Sequence, residues 1–191
     1  MSQNKVRYGL EQLHIAFIGA GGTWEAPVPI PGVVNFTANP DGGESTFFAD
    51  NIKFYTRQTN NGYTGDVEVA LFPDAVIAEM LGWEVDANGM LVEDAEGKPK
   101  EFALMGQVQG DAKNRRFVYY RCTAGRPTQN SATTTDTITP TTESLSLVIL
   151  PYEHEGKKIV KGVIEPNETN QAIYDGFFDA VILPGATPPA P

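Results

Sequence analysis

The side chains best spaced for acid–base work are Asp66 and Glu68, within Asp66-Val67-Glu68-Val69-Ala70-Leu71. On a strand, residues two apart share a face, and a pair of carboxylates roughly 5 to 9 Å apart is the machinery of glycoside hydrolysis. The same alternation also describes a strand with one wet side, since Val67, Val69 and Leu71 point one way and the acids the other, and no aromatic groove is legible beside them. That favours a non-catalytic role for the pair. Other reactive groups are sparse. His14 falls in the opening strand, and His154 sits in Glu153-His154-Glu155-Gly156 without the i, i+4 spacing that brings two imidazoles to one metal. Cys122, the single cysteine, ends the apolar run Phe117-Val118-Tyr119-Tyr120-Arg121-Cys122 and reads as a reduced core thiol. No serine carries the flanking glycines of a nucleophile elbow. Gly19-Ala20-Gly21-Gly22-Thr23-Trp24 matches only the start of a dinucleotide-binding loop: Trp24 stands where a third glycine is needed, and Pro27, Pro29 and Pro31 follow where a helix should. It reads as a turn into a proline-stiffened extended segment. The expectation is a protein that is not an enzyme, with no catalytic residue, no metal site and no cofactor.

The elements that would position these residues are mostly strands. The apolar spacing switches to a helical period once clearly, in Phe72 to Gly82, where Val76, Ile77, Met80 and Leu81 recur three or four apart. Pro73 suits the first turn, Asp74 complements the dipole and Gly82 is placed to stop the helix. The spacing predicts one helix over about 73–81, too short to persist in water unless packed against something. Val6 to Ile18 reads as a strand whose alternation slips at Gln12, the mark of a bulge. Val33 to Thr37 is a short strand before the turn signal Asn39-Pro40-Asp41-Gly42-Gly43. Phe47, Phe48, Ile52, Phe54 and Tyr55 mark a strand pair interrupted at Asp50-Asn51, and Asn60-Asn61-Gly62 is the strongest hairpin signal in the chain. Trp83 to Val85 and Met90 to Val92 flank a turn at Asp86-Ala87-Asn88-Gly89. Phe102 to Val108 and Arg116 to Cys122 are strands joined by a loop at Gly110 to Asn114, and the second, apolar on both faces, reads as central. Ser144 to Ile149 and Ile159 to Ile164 are further strands, Asn170 to Phe177 a short helix with Ile173 and Phe177 inward, and Val181 to Leu183 a sheet edge.

At 191 residues the chain fits one domain, expected over 1–183, with 184–191 a disordered tail containing four prolines in eight residues. Eight of the fifteen residues from Thr128 to Thr142 are threonine, a composition that suits either a mobile loop or a segment ordered by a neighbour. No apolar run reaches membrane-span length, and Met1 to Arg7 lacks the apolar stretch of a signal peptide, so the expected product is soluble, away from membranes and made in a cytoplasm. With 14 basic and 24 acidic residues the net charge is -10, which argues against gripping nucleic acid through its phosphates but suits a surface past which it slides.

Several stretches, in order, resemble the major tail protein family of long, non-contractile-tailed phages, especially those of Gram-positive hosts. They are Val28-Pro29-Ile30-Pro31-Gly32, Phe48-Ala49-Asp50-Asn51-Ile52-Lys53-Phe54-Tyr55, Asn60-Asn61-Gly62-Tyr63-Thr64-Gly65-Asp66, Leu71-Phe72-Pro73-Asp74, Asp86-Ala87-Asn88-Gly89 and Arg115-Arg116 with Tyr119-Tyr120-Arg121-Cys122-Thr123-Ala124. Thr139-Pro140-Thr141-Thr142-Glu143-Ser144-Leu145 and Tyr174-Asp175-Gly176-Phe177-Phe178 extend the likeness to nearly the whole chain. The resemblance implies a mainly β fold, a sandwich or barrel-like tube subunit with one flanking helix and long inter-strand loops. It further implies a virion protein whose homo-hexameric rings stack into a tail tube, meet tape measure, distal tail and terminator proteins, and conduct DNA without sequence-specific binding. On that reading Asp66 and Glu68 are candidate lumen-lining acids. Met1 to Arg7 and Asn39 to Thr46, with Lys5, Arg7, Asp41 and Glu44, are candidate contacts between rings. Two other readings are a virion carbohydrate-binding or adhesin β-sandwich, which an exposed aromatic platform on a stable monomer would favour, and a hydrolase acting through Asp66 and Glu68.

Overall fold

A computed structural model describes residues 9–128 and 141–186. The first strands are β1 (Leu10–Phe17), β2 (Val28–Pro29), β3 (Val33–Asp41), β4 (Glu44–Ala49), β5 (Ile52–Gln58) and β6 (Gly62–Val69), before the helix α1 (Asp74–Leu81). Then come β7 (Glu84–Val85), β8 (Leu91–Val92), β9 (Phe102–Val108), β10 (Arg116–Ala124), β11 (Glu143–Ile149), β12 (Tyr152–His154), β13 (Lys157–Ile159) and β14 (Lys161–Ile164). A short helix α2 (Gln171–Asp175) runs into a 3-10 turn at Gly176–Phe178. The fold is mainly β, in the barrel-like form: one antiparallel sheet ordered β2-β1-β9-β10-β11-β6-β3, with β14 also paired to β10, curls until β3 lies back near β1.

Alternation decides what each face covers. Leu13, Ile15, Phe17, Leu104, Tyr119, Cys122, Val67, Leu145 and Leu147 point inward into one core, which Val76, Ile77, Met80 and Leu81 of α1 complete. Ala16, Ala103, Met105, Val118 and Tyr120 point outward from β1, β9 and β10 into a second core closed by Phe177, Trp24 and the segment at Val181 to Leu183. β10 is therefore buried on both sides, between β9 on one edge and β11 and β14 on the other, as its two-faced apolar sequence predicts. The Gln12 slip is a bulge: the register against β9 shifts between Glu11 and His14, with Gln12 at φ 53. The helix starts and stops where expected, and Gly82 takes φ 70 with its N–H on the Ala78 carbonyl.

Four expectations need correction. Asn60-Asn61-Gly62 turns no hairpin, because β5 pairs with β4 while β6 pairs with β3 and β11. Gly62, at φ 113, instead lets the backbone pass the Ile149 carbonyl, which a Cβ there would meet at 1.9 Å. Nor does the turn signal at Asn39 to Gly43 reverse the chain. β3 runs on through Asp41, paired with Gly62 of β6, β4 and β5 pair beyond Gly42 and Gly43, and the chain turns only at Asp50 and Asn51. Glycine is needed at 42 because a Cβ would meet the Thr59 carbonyl at 2.0 Å. Ile159 to Ile164 is two strands broken at Val160, whose buried side chain joins the inner core. Val181 to Leu183 closes no sheet edge; it lies across β10, where the Tyr120 hydroxyl donates to the Ile182 carbonyl at 3.2 Å. Most of the threonine-rich stretch, residues 1–8 and residues 187–191 of the expected tail lie outside the described residues.

Candidate functional site

Two exposed surfaces have compositions that call for a function. The first is the arm made by β4 and β5. Cross-strand pairs run from Glu44 opposite Gln58 to Ala49 opposite Ile52, with a bulge between Phe47 and Phe48. Asp50 and Asn51 make the two-residue turn with φ 52 and 61, the positive values a type I′ turn requires and which Asp and Asn tolerate. At the base, Thr59 N–H donates to the Gly43 carbonyl at 2.9 Å and the Thr59 hydroxyl accepts the Gly43 N–H at 2.9 Å. Beyond this clasp the arm pairs only with itself among the described residues. Phe47 and Phe54 are 61% and 68% exposed, and Phe48, Ile52 and Tyr55 are similarly open. Phe47 and Tyr55 are cross-strand partners on one face, while Phe48, next in sequence to Phe47, stands on the other. An isolated two-stranded ribbon is at best marginally stable in water, and large apolar residues clustered on a surface mark a contact site.

The second surface is the outward face of β3, β6 and β11. Asp66 lies opposite Thr37 and Ser146, Glu68 opposite Asn35 and Ser144, and Thr64 opposite Asn39 and Val148. Glu68 accepts the Thr142 hydroxyl at 2.5 Å. No Lys or Arg occurs in any of the three strands, and no aromatic side chain stands on this face. The predicted pairing of Asp66 with Glu68 on one exposed side is thus what the fold builds. It adds Asp41, which continues the same row of β3 positions opposite Gly62. Asp41 and Glu44 sit where the sheet becomes the arm, Glu44 3.7 Å from Lys53; Lys5 and Arg7 lie outside the described residues. The sequence reading missed the exposure of the arm's aromatics, although the adjacency of Phe47 and Phe48 already puts aromatic side chains on both faces.

The isolated reactive groups are held structurally. His14 stacks on Phe178 at 4.5 Å between ring centroids and bonds through Nδ1 to the Gln12 carbonyl at 2.9 Å. His154 pairs across a short hairpin with Lys157. Cys122 is fully buried, and burial pushes its thiol well above the usual range. The Gly19 to Trp24 segment is a turn closed by the Ile18–Trp24 bridge, from which the Trp24 indole donates to the Tyr120 carbonyl at 3.2 Å.

No protein-family model and no curated protein matches the sequence. Among solved structures the chain is similar to the cryo-EM structure of the anti-feeding prophage cap, described as the AFP tube terminating cap, at 10% identity and a TM-score of 0.38, over 86% of this chain and 97% of that one. A likeness of that degree carries no functional argument, which rests on the two surfaces.

Proposed function

We propose that this chain is a structural subunit of a phage tail tube, six copies forming a ring and stacked rings forming a conduit for DNA. The observation that carries the reading is the arm: aromatic side chains on both faces of a ribbon that stand exposed among the described residues. A repeated contact with further copies supplies the cover, and a head-to-tail contact closes into a ring or extends into a filament according to its rotation. The ordered sequence resemblance to tail tube proteins supports the same conclusion. The outward face of β3, β6 and β11 suits the channel, because hydroxyl and amide groups with Asp41, Asp66 and Glu68 give a phosphate backbone nothing to adhere to. The protein acts by assembly and is not an enzyme; its partners are its own copies and other tail proteins, and its place is the virion.

The exposed aromatics also bear on the carbohydrate-binding reading. They are divided between two faces of a narrow ribbon, and three of the four are Phe, which brings no polar group to a sugar. Electron microscopy and light scattering of purified protein at rising concentration decide between the two. Rings with a central hole, or hollow tubes, are expected from the full chain, and only monomer from a variant in which 44–58 is replaced by a Gly-Gly link. A monodisperse full-length monomer that binds glycans would overturn the tube reading.

A further inference from the structure

The β7–β8 hairpin, like the arm, pairs only with itself among the described residues and exposes a group of apolar side chains, Val85, Met90 and Val92. Trp83 and Leu91 turn toward the inner core. Glu84 and Val92, their neighbours in sequence, are cross-strand partners and so share the outward face. Val92 is 43% exposed there, and Met90, beside it at the turn, 63%. The segment from Glu84 to Glu96 holds five acids and no Lys or Arg. Three of the five are engaged. The Asp86 carboxylate accepts the N–H groups of Asn88 and Met90 at 2.8 Å, Glu93 pairs with Arg126 at 3.0 Å, and Asp94 accepts the Glu96 N–H at 2.9 Å. The Glu84 carboxylate has no partner among the described residues.

One face of the arm is its complement. The pairs Ser45–Arg57, Phe47–Tyr55 and Ala49–Ile52 put Phe47, Ile52, Tyr55 and Arg57 on the same side. Lys53, opposite Phe48, stands on the other side and lies 3.7 Å from Glu44. Arg57 is therefore the charge of the Phe47–Tyr55 face, and its guanidinium also has no partner among the described residues.

We infer that the outward face of β7 and β8 is the seat for the Phe47–Tyr55–Arg57 face of the arm of a second copy of this chain. The inference rests on the tube reading and names the receiving half of its contact. Chemistry and charge agree. Phe47 and Tyr55 cover Met90 and Val92, a pairing of aromatic rings with a thioether and a branched side chain that interfaces favour, while the unpartnered Arg57 meets the unpartnered Glu84. Within one copy the two faces do not meet, since both stand exposed and neither charge is paired. The outward face of β3, β6 and β11 also carries acids, but it sets Asp66 and Glu68 among Asn35, Thr37, Ser144 and Ser146, polar groups that aromatic rings would desolvate at a cost. An arm face on a hairpin face is a contact between unlike surfaces, the kind that propagates.

The test is charge exchange in the full chain, read as assembled fraction by sedimentation and microscopy. Arg57→Glu and Glu84→Arg each place like charges together, and each is expected to lower the assembled fraction about tenfold. The variant carrying both is expected to return it to near the unmodified level, which a folding defect would not do. Val92→Asp, which adds a carboxylate under the aromatic rings, is expected to lower it as well. Failure of the double variant to restore assembly overturns the inference. So does unimpaired assembly of both single variants alongside a chain without residues 44–58 that stays monomeric, a result that keeps the tube reading and moves the seat elsewhere. An unmodified chain that never assembles removes the tube reading and this seat with it.

Discussion

Tyr119 shows how a single residue is decided by its surroundings. Its ring packs against Phe36, Tyr63 and Phe117, and burial pushes its phenol up to about 12; burial moves Tyr120 the same way. The unfolded chain loses such protons near pH ~10, so between that value and about 12 the native state binds more protons and stability falls as pH rises. The urea midpoint is therefore expected to drop across that alkaline window, and Tyr119→Phe to make the drop shallower; an unchanged slope in the variant would remove Tyr119 as a cause. The tyrosines were legible as apolar positions of a strand. Their burial from both sides was legible only because Val118 and Tyr120 alternate with Phe117 and Tyr119, leaving neither face polar. Cys122 was read correctly for the same reason.

Among the elements, α1 was the most legible, because its spacing, its Pro73 start and its Gly82 stop agree. Gly82 holds φ 70, and a Cβ there would meet the Lys98 backbone at 2.5 to 2.7 Å. Gly82→Ala is therefore expected to cost about 1 to 3 kcal/mol or more, read as a lower urea midpoint, while an exposed change such as Ala75→Ser stays within about 1 kcal/mol. Lys100 fastens the other side, bonding Glu79 at 2.5 Å and Glu25 at 2.9 Å, a link across distant sequence that no periodicity announces. The arm was half legible. Its strands and its Asp50-Asn51 turn follow from local chemistry, but Asn60-Asn61-Gly62 has the composition of a hairpin turn and serves a different end. Gly62 there is a point of close backbone approach, and composition does not separate the two uses of glycine.

For the whole molecule, the proposed channel face makes a prediction about traffic. Tubes of the unmodified chain are expected to leave duplex DNA free and digestible. Tubes carrying Asp66→Lys and Glu68→Lys are expected to hold it in a nuclease-resistant form, with retention falling steeply as salt rises. Reversed tubes that assemble yet protect no DNA would place this face outside the channel. The sequence by itself determined the strand alternation, the bulge at Gln12, the helix and its ends, and the shared wet side of Asp66 and Glu68. All of these follow from neighbours a few residues apart. Only the tertiary structure decided which two-faced apolar strands are buried. β10 and the arm carry the same local signature, yet β10 is enclosed by β9, β11 and β14, two of them from later parts of the chain, while among the described residues the arm pairs with no other strand. Pattern reports which side chains a strand offers to each face; what lies against those faces depends on contacts between residues far apart in sequence.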